Sequence, residues 1–325
     1  MVGNTSDMMG RRGSVTIRKV LSGKIGMLFM LFILLTIFSV LADNFFSAIN
    51  IQNILIQAAS NAIIAVGMTI VIISGQIDLS VGAVMALSSV LGAKVMVSTG
   101  SISAGVAVAL IAGVLCGLVN GLIIALLDFQ PFITTLSTMW LFRGIAYVIT
   151  NGQPVTNLPG NLMNLTAGKL LGLSYVVWII IALYILCFFG LEKTTYGRRI
   201  YAIGDNQEAS RISGINVKGT KILVLIIAGL MSAIAGIIVM SRVNSAQPVA
   251  GNSYEMYAIA AAVIGGASLT NGGVGDLIGS LIGALFIAAL QNGLNIMNVT
   301  AFWQYIFMGI VVLFAMLIDK ARKKD

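Results

Sequence analysis

The sequence predicts an all-α integral membrane protein of about ten transmembrane helices with both termini cytoplasmic. Two observations carry that expectation. Of 325 residues 58% are hydrophobic and only 9% charged, against about 25% charged in a soluble domain, and the mean hydropathy is +1.00. The charges that exist are also badly distributed for a water-facing surface. They collect in three short stretches between and beyond long apolar runs.

Crossing about 30 Å of hydrocarbon takes roughly 20 mostly apolar residues as a helix. Ten runs are read in order: 25–41, 51–73, 79–97, 102–127, 131–149, 170–191, 222–240, 255–269, 274–297 and 301–318. Their length argues for helices, since barrel strands alternate over about ten residues. The eighth run is short and interrupted by glycine. Thirty-six glycines suit helices whose backbones approach closely in lipid.

Short loops rich in lysine and arginine stay on the cytoplasmic side. Arg11, Arg12, Arg18, Lys19 and Lys24 precede the first run. Lys193, Arg198, Arg199, Arg211, Lys218 and Lys221 follow the sixth, and four more basic residues end the chain. Fifteen of the nineteen basic residues therefore fall on three segments. Six spans before the internal basic loop and four after it put all three on one side. The expected organisation is a cytoplasmic tail 1–24, one transmembrane domain 25–318 with a cytoplasmic loop 192–221, and a tail 319–325.

Several functions are disfavoured at once. Without histidine, imidazole acid–base catalysis and imidazole metal sites are impossible. Cys116 and Cys187 lie in apolar runs, so neither a metal site nor a disulfide framework is expected, and no catalytic residues are assigned. No GxxxxGK[ST] sequence occurs to cradle a nucleotide phosphate. The net charge of +8 is explained by orientation, so nucleic acid is not an expected partner; membrane lipid is.

The loop 192–221 is the one stretch that leaves the bilayer at length. Asp205 or Asn206 is a good N-cap, Glu208 follows Asp205 by three as in a capping box, and Gly214 suits a left-handed C-terminal position. A helix of two turns is expected, with Gly197 and Gly204 punctuating the chain before it. Glu208 and Arg211 pair on that helix for only a few tenths of a kcal/mol. Two readings stand: an amphipathic loop that merely obeys the positive-inside rule, or a docking element for a cytoplasmic protein.

Two glycine-rich breaks interrupt the apolar runs, at 74–82 (SGQIDLSVG) and 265–276 (GGASLTNGGVGD). Irregular backbone at membrane depth survives only where protein or a wet cavity satisfies it, and paired breaks point to transport sites. Asp78 and Asp276 stand beside helix starts, where a carboxylate caps free N–H groups or contacts a solute. Arg143 lies inside the fifth run, where it costs on the order of 3 kcal/mol unless paired or wet. Snorkelling, carbonyl pairing and a pathway role are all open to it. With Asp78 and Arg143, the neutral polar residues Asn61, Asn120, Gln130, Thr134, Thr135, Gln153, Gln291 and Asn295 are the candidate translocation path. Such amides and hydroxyls suit a hydroxyl-rich neutral solute, or serve as glue between helices.

Further motifs are Val66-Gly67-Met68-Thr69 with Gly75-Gln76-Ile77-Asp78-Leu79-Ser80-Val81-Gly82, then Pro131-Phe132-Ile133-Thr134-Thr135-Leu136 with Phe142-Arg143-Gly144 and Gly152-Gln153-Pro154-Val155. Together they resemble the ribose-type sugar ABC importer permeases, and Tyr201-Ala202-Ile203-Gly204-Asp205-Asn206 and Ser213-Gly214-Ile215 resemble that family's cytoplasmic loop. The resemblance implies a transport subunit, not an enzyme, that moves a monosaccharide inward by alternating access in a bacterial inner membrane. It implies three partners: a second permease chain, identical or homologous, an extracytoplasmic sugar-binding protein, and an ATPase. ATP and Mg would be bound by that ATPase and no cofactor by this chain. The docking residues it implies are Gly197, Arg198, Gly204, Asp205, Asn206, Glu208, Ala209, Arg211 and Gly214. An ion-coupled secondary transporter of a small polar solute is the alternative.

Overall fold

The computed structural model describes residues 24–322; the basic residues expected before Lys24 and after Arg322 lie outside them. In chain order the helices are α1 (Lys24–Leu41), α2 (Ala48–Ile73), α3 (Val81–Thr99), α4 (Ile102–Leu126) and α5 (Pro131–Thr150). There follow a short 3-10 turn (Gly160–Met163), α6 (Asn164–Ala167), a hairpin of β1 (Lys169–Leu170) and β2 (Leu173–Ser174), and α7 (Tyr175–Lys193). The second half holds α8 (Thr195–Asp205), α9 (Gln207–Ile212), α10 (Val217–Val243), α11 (Tyr254–Ile264), α12 (Leu277–Ile296) and α13 (Ala301–Arg322). Seven of these are long and apolar enough to cross a membrane: α2, α3, α4, α5, α7, α10 and α12. Shorter apolar helices, Ile25–Leu41, Tyr254–Ile264 and Ala301–Leu317, stand at the first, eighth and tenth expected positions. The protein is an all-α integral membrane protein.

The boundaries differ from the sequence reading for local reasons. α7 starts at Tyr175 rather than 170, because Lys169–Ser174 folds back as the hairpin around Leu171 and Gly172 at positive φ. α10 starts five residues early because the Asn216 side chain accepts from Gly219 N–H and caps it. α3 and α12 start late, at Val81 and Leu277, since the residues before them stay in the breaks.

α2 is the central element, packed by α10, α11 and α12, and almost all of its residues from Ala58 to Ile73 are buried. α10 lies along α4 through small residues. A Cβ on Gly229 would collide with the carbonyl of Gly113, and one on Gly117 with the carbonyl of Leu225. Close backbone approach of this kind replaces the hydrophobic drive that lipid does not supply. By contrast α1, α5 and α13 expose large apolar side chains such as Phe32, Trp140 and Phe302.

α11 has only 11 residues, a rise of about 16 Å, roughly half of the hydrocarbon thickness. The chain ahead of it, 244–253, is not helical. After α10, Asn244 turns in the left-handed region, and Ala246 pairs with Val155 through backbone bonds of 2.8 and 3.0 Å. Gly251, at φ +73°, then packs on Gly82 at the start of α3. Arg143 of α5 holds this inward segment, its Nη1 donating to Pro248 O at 2.7 Å and Ala250 O at 2.5 Å. Of the readings open to Arg143, the structure displays carbonyl pairing.

Candidate docking segment and membrane breaks

The segment 192–221, expected to be cytoplasmic, forms two helices where one was expected. α8 runs from Thr195 to Asp205 with Thr194 as its cap, and Asn206 caps α9, its side chain accepting from Ala209 N–H at 2.9 Å. Asp205 ends the first helix, so the capping-box reading is corrected. Glu208 turns instead to Arg211, in a two-pronged ion pair at 3.0 and 2.5 Å. That hydrogen bond, more than charge alone, holds the Glu208 carboxyl below its ordinary range. Gly214 takes φ +81° after α9.

Gly197 and Gly204 also need correction, because neither breaks the chain. Both lie inside α8, and both are glycine for want of room. A Cβ on Gly197 would enter the carbonyl of Leu191, and one on Gly204 that of Ile73. The expected docking residues thus divide by face. Gly197 and Gly204 turn inward with the buried Ile200 and Ile203. Arg198, Asp205, Asn206, Glu208, Ala209, Arg211 and Gly214 are exposed, and beside them Ile212, 76% exposed, is an apolar knob that the sequence reading passed over.

The two breaks meet beneath this segment. Gly273 N–H donates to Ile73 O at 2.7 Å, joining the end of α2 to the turn before α12. The Tyr201 hydroxyl reaches Gly275 O at 3.0 Å and Glu192 Oε1 at 3.3 Å. Burial, then the Glu192 carboxylate, pushes its phenol up, so it stays a donor at any physiological pH. From α13, the buried Asp319 accepts from Leu269 N–H at 3.1 Å. Tyr201 and Asp319 were not singled out in sequence, although Tyr201 stands in the quoted cytoplasmic motif.

The candidate path residues do not form one site. Asp78, Asn120 and Thr135 come together around the first break. Asp78 Oδ1 accepts from Ser80 N–H (2.8 Å) and Oγ–H (2.6 Å), Asn120 Nδ2 donates to Ser80 Oγ (2.8 Å), and Thr135 Oγ1 accepts from Leu79 N–H (3.1 Å). Gln130 and Thr134 border an open cleft of about 490 Å³ nearby, with Asp128, Ser137 and Thr138. Asn61 and Gln291 meet elsewhere, between α2 and α12, at 3.3 Å. Asn295 is exposed and bonds Gln304 at 2.8 Å; Gln153 is exposed in the loop after α5. The side-chain carbonyl oxygens of Asn61 and Asn120 are buried without a hydrogen-bond partner. Asp276 accepts from Ile278 N–H at 3.1 Å and caps α12. Among the described residues, no three acidic or cysteine side chains cluster closely enough to hold a metal.

A family described as the permease component of branched-chain amino acid transport systems matches residues 50–316. The individual relatives are named for sugars. The ribose import permease protein of Bacillus subtilis is 46% identical over 92% of this chain and 93% of its own. That of Escherichia coli is 43% identical over 91% and 93%, and the L-arabinose transport system permease protein of Escherichia coli 39% over 92% and 91%. No solved structure matches the chain. The broad pattern defines a permease scaffold, and near full-length identity above 40% places this one among its sugar-named members: the chain belongs to the ribose-type ABC importer permease family.

Proposed function

We propose that the chain is the membrane-spanning permease subunit of an ABC importer, carrying a monosaccharide of the pentose or hexose class into the cytoplasm by alternating access. The observation that carries this reading is full-length similarity to permeases named for two pentoses, ribose and L-arabinose. The exposed face of α8 and α9 supports it. Polar and charged side chains surround the apolar Ile212, the composition of a surface awaiting a partner. An ATPase docks there and binds the ATP and Mg, so that this chain transports and does not catalyse.

In this reading all ten apolar helices cross a bacterial inner membrane, with both termini and the docking segment cytoplasmic. A second permease chain completes the pathway, and an extracytoplasmic receptor delivers the sugar. Asn61, Asn120, Gln130, Thr134, Thr135 and Gln291 offer amides and hydroxyls to a neutral polyol. An ion-coupled carrier is not favoured, because the relatives are importer permeases.

The test is reconstitution in proteoliposomes with the cognate ATPase and receptor. Ribose should stimulate ATP hydrolysis and enter the vesicle, and deletion of 205–214 should abolish both while the chain still inserts. Uptake driven by an ion gradient without the ATPase, or undiminished coupled hydrolysis after the deletion, would overturn the reading.

A further inference from the structure

Binding an ATPase does not explain why the inner side of α8 carries glycine at position 204. Gly204 rests on both membrane breaks at once. An added Cβ would run into Ile73 O at the end of α2 and into Gly273 N before α12. On Gly272 a Cβ would meet Gly204 O in turn, and one on Gly75 would lie 3.6 Å from the Gly204 Cα. A Cβ on Gly273 would lie 2.9 Å from both Tyr201 O and Asp205 N. The second break is tied to the end of α2 by the 2.7 Å bond from Gly273 N–H to Ile73 O, and Tyr201 ties α8 to Gly275 O at 3.0 Å.

Three segments distant in sequence, around residues 73–75, 201–205 and 272–275, therefore meet backbone to backbone. Side-chain contacts absorb small displacements by changing rotamer; a contact between main chains has no such slack. Gly204 and Tyr201 are only partly exposed, unlike Asp205, Glu208, Arg211 and Ile212, which are exposed.

We propose that the 201–205 turn is a transmission contact, in which Gly204 and Tyr201 are positioning residues that move the end of α2 and the start of α12 together, and that neither residue belongs to the partner-binding face. The proposal rests on the permease reading above. It adds which residues pass on the motion and which two helix ends receive it as one body.

The test separates docking from coupling in the full complex, with ribose as the probe. Gly204→Ala should retain the ATPase on co-purification and keep basal hydrolysis. Its ribose- and receptor-dependent stimulation should fall about fivefold or more, the lower end of usual couplings between sites. Tyr201→Phe loses only the hydroxyl; it should melt as the wild type does and show the same selective loss in smaller measure. Arg211→Glu, on the opposite face, should instead reduce ATPase co-purification. Wild-type stimulation in both inner-face variants would overturn the proposal, as would loss of the ATPase from Gly204→Ala at unchanged melting temperature. If Gly204→Ala fails to fold, Tyr201→Phe decides alone. A wild-type complex that ribose never stimulates would defeat the permease reading itself, and the transmission contact with it.

Discussion

Arg143→Met tests what the charge inside α5 is for. Methionine keeps an apolar stem of similar reach and removes the guanidinium. The side chain is 9% exposed and donates to Pro248 O and Ala250 O at 2.7 and 2.5 Å. Hydrogen bonds from a charged donor contribute about 1.5–3 kcal/mol each, so the pair contributes roughly 3–6 kcal/mol. Holding an arginine within a span offsets about 3 kcal/mol of that. A net loss of up to about 3 kcal/mol is expected, and it should be local, because α5 keeps its own backbone bonds. A loss of about 2 kcal/mol makes local opening on the order of 30-fold more frequent. Hydrogen exchange by mass spectrometry reads this directly on peptides covering 244–257, where Ala250 N–H bonds Gln247 O and Tyr254 N–H bonds Gly251 O. Unchanged exchange there, or equal acceleration in α4 and α10, would refute the reasoning. Glu255 adds a control. It feels the Arg143 charge, and its Oε2 would lie 2.8 Å from a Cβ on Gly82. Removing its charge as well, in Arg143→Met with Glu255→Gln, should recover part of the protection, since a half-buried carboxylate no longer lacks its counter-charge.

Two further outcomes are expected. Asp78→Asn keeps an acceptor for the two Ser80 donors and should melt within a few degrees of the wild type, whereas Asp78→Leu strands both and should lower stability by about 2–4 kcal/mol; equal melting temperatures for the two would show that the turn does not depend on this oxygen. Because Arg211 holds the Glu208 carboxyl below its ordinary value, the support this pair gives α9 is fully present above the ordinary glutamate pKa of about 4.3 and is lost only as pH falls through the lowered value. ATPase co-purification should therefore be flat through neutral pH, and a loss of binding between pH 7 and pH 5 that Glu208→Gln removes would contradict the assignment.

The long helices were legible because hydrocarbon imposes both a length and a composition. α8 was not, although its residues announce an amphipathic helix in hindsight. Gly197 and Gly204 read as chain breakers, when their lack of a side chain serves the approach of Leu191 and Ile73; a sequence does not say whether a glycine frees its own backbone or makes room for another. The inward segment before α11 was hidden for a different reason. Its stability depends on Arg143, more than a hundred residues away, and no local pattern records that bond. Similarly, both glycine-rich breaks were visible as breaks, but their meeting at Ile73 and Gly273 is a fact of packing alone.

These hidden features share one physical cause. Backbone outside a helix must find hydrogen-bond partners within the membrane domain, and here charged side chains supply several of them. Arg143 serves the segment before α11, Asp78 the turn before α3, Asp276 the start of α12 and Asp319 the second break. An in-span charge that looks like a transport group is thus first accounted for by the irregular backbone it satisfies. Several of the polar groups left over are neutral, among them the unpartnered amide oxygens of Asn61 and Asn120, while the hydroxyls of Thr134 and Ser137 border the cleft together with Asp128. Those amides and hydroxyls can bond an uncharged, hydroxyl-bearing solute without any fixed charge. On the proposed reading the driving force comes from elsewhere, and the membrane domain gains its motion through the docking segment, at the place where Gly204 presses on the end of α2 and on the second break.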